Sequence, residues 1–223
     1  MHKAFTIGQS LAFGWAEYRK NIYFLTLVTA ALFLIQIVIG GKTSSVTVAV
    51  TRQIFDIILG GFATFTSVRI GLRALKGQSF SWKDMFDVRW NVFGMYLIGM
   101  ALFTLCYLVG FVFFFIPGLI AIIRLNFFAF ILVDEGLSPL DALKKSFAIT
   151  KGHFWRLAGF ALVLDLIIMA GVLALGIGAL VAIPVCLLST AFVYGRLKHA
   201  ASSHAHSHPQ PTLSHSHAHT PAA

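Results

Sequence analysis

Long apolar segments that alternate with basic clusters are the feature that most constrains what this chain can fold into. A helix needs roughly 17 to 25 mainly apolar residues to cross the hydrocarbon core of a bilayer. Six segments reach or approach that length, at residues 22–41, 48–72, 92–115, 117–133, 155–175 and 179–194. With 58% hydrophobic and 11% charged residues, the chain has too little polar surface to cover a soluble particle. The sequence therefore predicts an all-α integral membrane protein with six transmembrane helices.

The distribution of lysine and arginine predicts the orientation of these helices. Fourteen of the 17 basic residues lie before the first segment, in or at the border of the second and fourth connections, or after the last segment. Basic residues resist translocation and stay on the cytoplasmic side. Both chain ends are therefore expected to be cytoplasmic, with the six helices arranged as three hairpins. The net charge of +9 then lies along the inner membrane face, where anionic lipid is a nearer partner than nucleic acid.

A short segment that begins with a helix-capping box precedes each hairpin. In such a box, a Ser or Thr side chain accepts a hydrogen bond from a backbone amide three residues on. The three boxes are Thr6 to Gln9, Ser81 to Asp84 and Ser138 to Asp141. The unit of an interfacial helix followed by a hairpin thus occurs three times, which indicates an internal repeat.

The third interfacial helix is the most strongly amphipathic. Leu140, Leu143 and Phe147 share one face, and charged side chains occupy the rest. One interpretation places this helix in the headgroup region with its lysines toward lipid phosphates. The other makes it a connector packed on the ends of the transmembrane helices. The candidate lipid-facing basic residues are Lys144, Lys145, Lys151 and Arg156.

The region around this helix also resembles a known family. Ile116-Pro117-Gly118 followed by Arg124, and then the segments 133–146 and 150–152, are similar to the signature of a bacterial multi-pass membrane family of unknown function. That family includes the membrane domain of some glycerophosphodiester phosphodiesterases. The resemblance implies a six-helix membrane domain of the bacterial cytoplasmic (inner) membrane. It implies no catalysis, because the phosphodiesterase chemistry of the fused relatives belongs to a separate barrel domain.

Four ionisable residues fall inside the predicted transmembrane helices: Arg52, Asp56, Arg124 and Asp165. Each would cost a few kcal/mol if it faced lipid, so each is expected to face the bundle interior or water. Arg52 and Asp56 are four residues apart and share a helix face. The four side chains are interpreted either as a buried polar cluster that orders the helices or as a site for a solute or proton.

The composition changes at His199 to Ser, Ala, Pro and His without apolar periodicity, which predicts a disordered cytosolic tail over 199–223 after a membrane domain over 1–198. This tail is expected to lie outside the family pattern. Its alternating imidazoles are suited to bind Zn²⁺, Ni²⁺ or Cu²⁺. The candidate ligands are His204, His206, His208, His215, His217 and His219.

Taken together, these features predict a non-enzymatic membrane protein without a resident cofactor. Its expected role is that of a scaffold or partner subunit that contacts lipid at the inner face, either in a homo-oligomer or with another membrane protein. The alternative is a small-solute or metal-ion transporter that uses the intramembrane Arg and Asp residues and the His-rich tail.

Overall fold

A computed structural model describes residues 5–39, 46–78, 89–113, 115–174 and 176–206, and side chains are described there except at 36–39, 46–50, 52–54, 56, 115, 177 and 203–206. The helices within these ranges are α1 (Ile7–Lys20), α2 (Ile22–Ile39), α3 (Val46–Leu75), α4 (Trp90–Phe113), α5 (Phe115–Leu125), α6 (Phe128–Glu135), α7 (Pro139–Ile149), α8 (Phe154–Leu173) and α9 (Ile177–His206).

Most of the predicted transmembrane helices are present. By length and composition, five stretches can cross a membrane: Ile57–Leu75, Trp90–Phe113, Ile116–Glu135, Phe154–Leu173 and Gly178–Ser202. A sixth candidate consists of α1 and α2 together, which are bent by 93° at their junction. The prediction of an all-helical protein is confirmed for the described residues, and five or six candidate spans indicate a membrane-embedded one.

Two of the three predicted capping boxes lie in the described residues, and in both the cap hydroxyl accepts the expected backbone hydrogen bond. Thr6 accepts a hydrogen bond from the Gln9 amide at the start of α1, with a distance of 3.4 Å. Ser138 accepts one from the Asp141 amide at 3.3 Å, and Pro139 occupies the first turn of α7, where its missing N–H is not needed. The box at 81–84 lies outside the described residues.

In two pairs of neighbouring helices, glycines allow the two helices to approach each other closely. A Cβ on Gly110 of α4 would lie 2.9 Å from the Gly118 Cα of α5, and a Cβ on Gly171 of α8 would lie 2.8 Å from the Gly178 carbonyl carbon of α9. These pairs correspond to the second and third predicted hairpins. The first predicted hairpin differs, because α2 packs more extensively on α9 than on α3.

Helix α1 packs along α9 rather than standing apart from the bundle. Its buried residues are Ser10, Gly14 and Tyr18, which recur every four positions and therefore lie on one face. The Phe13 and Phe192 rings lie 4.9 Å apart between their centroids. The N-terminal segment is thus part of the folded bundle.

Helix α9 extends to His206, so the first eight residues of the predicted tail, 199–206, are helical. Ala200 and Ala201 favour helix, and the Ser202 hydroxyl donates a hydrogen bond to the Lys198 carbonyl at 3.0 Å. The first proline after the start of the predicted tail is Pro209, so no proline between 199 and 206 stops the helix.

Candidate functional site

Asp134, near the end of α6, joins three helices through its carboxylate. Lys198 of α9 approaches Oδ2 at 2.5 Å, and Lys76, just after α3, approaches Oδ1 at 3.2 Å. The Tyr194 hydroxyl also donates to Oδ2 at 3.1 Å. The carboxylate is therefore satisfied by two cations and one hydroxyl.

The neighbouring Glu135 extends this network to α7. Lys145 approaches its Oε2 at 2.5 Å, and Lys198 approaches its Oε1 at 3.2 Å. We refer to Lys76, Asp134, Glu135, Lys145 and Lys198 as the charged end of the bundle. These contacts place Lys145 in an ion pair, apart from the other three candidate lipid-facing residues.

The sequence interpretation assigned no role to Asp134 and Glu135. They are nevertheless the only two acidic residues between Asp87 and Asp141. An acidic pair at the end of a transmembrane helix, in a chain with basic clusters at other helix ends, is a signal that could have indicated this network.

Helix α7 is attached to the bundle at the point where the neighbouring span is interrupted. Helix α5 ends at Leu125 and α6 begins at Phe128, so the regular helical hydrogen-bond ladder is broken at this point. The carbonyl of Arg124 accepts instead from the hydroxyls of Ser146, at 2.8 Å, and Thr150, at 3.4 Å. Neighbouring Ser and Thr side chains are a common way to satisfy a broken transmembrane helix. We call this contact the Arg124 clamp.

The side chain of Arg124 also contacts α7. Its guanidinium carbon lies 3.7 Å from the centroid of the Phe147 ring, and Nη2 donates to the Phe147 carbonyl at 3.4 Å. Its Nε is buried and has no hydrogen-bond partner among the described residues. A cation close to the C-terminal carbonyls of α7 is also favoured by the helix dipole.

The structure does not bring Arg124 and Asp165 into an ion pair within the ranges it describes. Asp165 lies on an exposed face of α8, beside the exposed side chains of Leu162, Leu166 and Met169. The side chains of Arg52 and Asp56 are outside the described residues. The polar cluster of four ionisable residues therefore stays a prediction.

The predicted apolar face of α7 is only partly buried. Ala142, Leu143 and Ser146 are buried, whereas Leu140 and Phe147 are 53% and 45% exposed. The reason is that Ser146 and Thr150 must face the Arg124 carbonyl to bond it, which turns Leu140 and Phe147 outward. Apolar periodicity placed Leu140, Leu143 and Phe147 on one face, and the structure buries only Leu143 of the three.

This orientation creates an exposed row of four side chains. Leu140, Lys144 and Phe147 are exposed at a spacing of four and three residues, which places them on one face of α7, and Lys151 is exposed in the turn that follows the helix. We call this row the α7 stripe. Apolar and basic side chains alternate along it, so that apolar contacts and positive charge are combined on a single surface.

Exposed aromatic residues mark the beginnings of three long apolar helices. Tyr23 of α2, Trp90 of α4 and Trp155 of α8 are 90%, 72% and 85% exposed. Basic residues lie next to them, at Lys20, Arg89 and Arg156. Tyr and Trp are enriched at membrane–water interfaces, so these positions are suited to one interface.

The candidate metal ligands of the tail fall largely outside the structure. The backbone of His204 and His206 belongs to α9, whereas their side chains and all of His208, His215, His217 and His219 lie outside the described residues. Within the described part of the chain, no group of three or more His, Cys, Asp or Glu side chains is arranged to hold a metal ion. Metal binding by the tail stays a prediction.

Comparison with protein families gives one match, which covers residues 22–218 and is described as a domain of unknown function, DUF7847. This is consistent with the predicted uncharacterised membrane family and shows no link to glycerophosphodiester phosphodiesterases. The matched range includes most of the His-rich segment, which was expected to lie outside the family pattern. No curated protein and no solved structure matches the chain.

Proposed function

The chain belongs to the DUF7847 family of unknown function, and we propose that it is a non-enzymatic scaffold or partner subunit of the bacterial cytoplasmic membrane. In this role it contacts anionic lipid with the surface of α7. We propose six spans with both chain ends cytoplasmic, an orientation in which this surface lies at the inner face.

The α7 stripe is the observation that carries this proposal. Leu140 and Phe147 offer apolar area to lipid, and Lys144 and Lys151 offer positive charge one helical turn away from them. Amphipathic helices of this type bind the boundary between headgroups and acyl chains. Lysine stems can lie along apolar surface while the ammonium groups reach the phosphates.

The rigid attachment of α7 supports a scaffold role. The Arg124 clamp holds one end of the helix, and the Lys145–Glu135 ion pair fixes its middle. The outward face is thus held in a defined position before it meets a lipid. Such preorganisation lowers the entropic cost of binding.

The orientation rests on the aromatic residues and the basic clusters. Tyr23, Trp90 and Trp155 lie at the beginnings of three helices that would all start at the same interface if both chain ends are cytoplasmic. Basic residues next to them are those that the positive-inside rule retains in the cytoplasm.

A non-enzymatic role is favoured because the charged side chains near the ends of the helices contact other helices. Asp134 and Glu135 are both engaged in ion pairs, and the Arg124 guanidinium is stacked on Phe147. These residues lie in the segment 116–156, which carries the resemblance to the membrane domain of some glycerophosphodiester phosphodiesterases. Their roles in packing fit a membrane domain that supports its partners rather than a catalytic one.

The transporter alternative depends on contacts between the intramembrane charges. Arg124 contacts α7, and Asp165 has no basic partner in the described part of the chain. The scaffold role is therefore the better supported of the two.

Fluorescence quenching by brominated lipids tests the proposal at the stripe itself. The reporter is Phe147→Trp in a full chain whose four native tryptophans are replaced by Phe, reconstituted in mixed liposomes. Brominated phosphatidylglycerol should quench this tryptophan more strongly than brominated phosphatidylcholine at the same mole fraction. A lysine near an anionic membrane contributes about 1 kcal/mol of attraction, so Lys144→Gln with Lys151→Gln should remove the difference.

The matched control is Arg19→Gln with Lys20→Gln, which removes the same charge from the end of α1. This control should preserve the preference for phosphatidylglycerol. Equal quenching by the two lipids in the reporter protein itself would contradict the proposal.

A further inference from the structure

A cleft lies beside the charged end, between α1, α3 and α9. Its volume is about 670 Å³, within the range of clefts that hold small ligands. Its walls include Phe13 of α1, Leu72 of α3 and Phe192 of α9, and its rim includes Lys76, Arg196 and Lys198. The α7 stripe contributes no residue to this lining.

The apolar and basic residues of the cleft are ordered in the same direction on two helices. On α3, the apolar Leu72 precedes Lys76 by one helical turn, and on α9, Phe192 precedes Arg196 by one turn. Both helices run toward the charged end. The cleft is therefore apolar toward the middle of these helices and basic toward their C-terminal ends. A phospholipid has the complementary order, with apolar acyl chains and an anionic phosphate.

The charge of the cleft favours an anion. Its lining contains the cations of Lys76, Arg196 and Lys198 against the single carboxylate of Asp134. Arg196 is exposed, its guanidinium lies 5.1 Å from the Phe192 ring centroid, and it forms no ion pair with an acidic side chain of the described chain. Lys76 bonds Asp134 and is still 59% exposed. Arginine and lysine are thus available to a phosphate, and a guanidinium can bind it through two parallel hydrogen bonds.

We propose that this cleft binds one anionic glycerophospholipid, with its phosphate at Arg196 and Lys76 and the start of an acyl chain against Leu72 and the paired rings of Phe13 and Phe192. This goes beyond the proposed function, because a single selective lipid differs from general contact through the α7 stripe. The two are also separable, since the stripe and the cleft share no residue.

Lipid binding to the delipidated full chain in detergent tests this site. The probes are dihexanoyl phosphatidylglycerol, dihexanoyl phosphatidylcholine and glycerol 1-phosphate, and the readouts are lipid stoichiometry by native mass spectrometry and the dissociation constant by calorimetry. Phosphatidylglycerol should saturate at one molecule per chain and bind more tightly than either other probe. Arg196→Gln should weaken it about tenfold, as expected for the loss of a charge-assisted contact.

Two further variants make the result specific. Arg19→Gln removes the same charge outside the cleft and should leave the dissociation constant unchanged. Phe192→Ala should weaken the lipid but not glycerol 1-phosphate, because only the lipid has an acyl chain at that wall. Binding without saturation, equal weakening by Arg19→Gln, or glycerol 1-phosphate binding as tight as the lipid would each overturn the proposal.

Discussion

At the scale of single residues, small side chains and hydroxyl groups determine how the helices meet. Gly14 of α1 lies against α9, where a Cβ would come within 2.6 Å of the Val185 carbonyl oxygen and would also clash with the Ser189 hydroxyl. The obstacle includes backbone, which cannot rotate away as a flexible side chain can. The packing of α1 on α9 therefore depends on the absence of a side chain at one position.

We expect Gly14→Ala to destabilise the protein by about 1 to 3 kcal/mol, because an inserted methyl group forces backbone to shift in a well-packed contact. The free energy of unfolding of the full chain in detergent checks this. Gly8→Ala is the matched control on the same helix, since a Cβ there meets no atom within 4 Å. Alanine favours helix over glycine, so the control should be neutral or stabilising by up to about 1 kcal/mol. Equal stability of the two variants would contradict the close contact.

At the scale of elements, α7 is an amphipathic helix whose inward side is held by polar contacts. Its beginning could be predicted, because Ser138, Pro139 and Asp141 form a capping signal that depends on local sequence only. Its buried face could not be predicted in the same way. The hydroxyls of Ser146 and Thr150 face inward because of the interruption between α5 and α6, and that partner is more than 20 residues away in the sequence.

The Arg124 clamp leads to a prediction about this element. Ser146→Ala combined with Thr150→Val removes both hydroxyl donors from the Arg124 carbonyl. An unsatisfied buried acceptor costs about 1 to 3 kcal/mol, so the free energy of unfolding should fall by that amount. Proteolysis in the connection before α8 should also become faster if α7 separates from the bundle.

Thr29→Val is the control for this double variant. The Thr29 hydroxyl donates to the Leu25 carbonyl at 2.8 Å, but that carbonyl lies inside the continuous helix α2 and also has the backbone amide four residues on as a partner. Loss of the Thr29 hydroxyl should change the free energy of unfolding by less than about 0.5 kcal/mol. A similarly small effect of the double variant would mean that the clamp does not hold α7.

At the scale of the whole molecule, the apolar segments and the basic clusters predicted the helical membrane architecture, because segment length and charge are properties of local sequence. The charged end was not predicted. Lys76, Asp134 and Lys198 are far apart in the chain, and only the packing of α3, α6 and α9 brings them together. A separate helix before the segment 22–41 was predicted, but its packing on α9 was not, because α1 and α9 are also far apart in the chain.

In the proposed role, α7 lies at the inner face of the membrane. Labelling with a membrane-impermeant thiol reagent tests most directly on which side α7 lies. The full chain is prepared with Cys106→Ala and Cys186→Ala, and then with a single cysteine at Lys144→Cys on α7 or Ala174→Cys after α8, both of which are exposed positions. In intact cells the reagent should label position 174 and not position 144, and in inverted membrane vesicles the pattern should reverse. Labelling of position 144 in intact cells, or labelling of both positions from the same side, would contradict an inner-face scaffold.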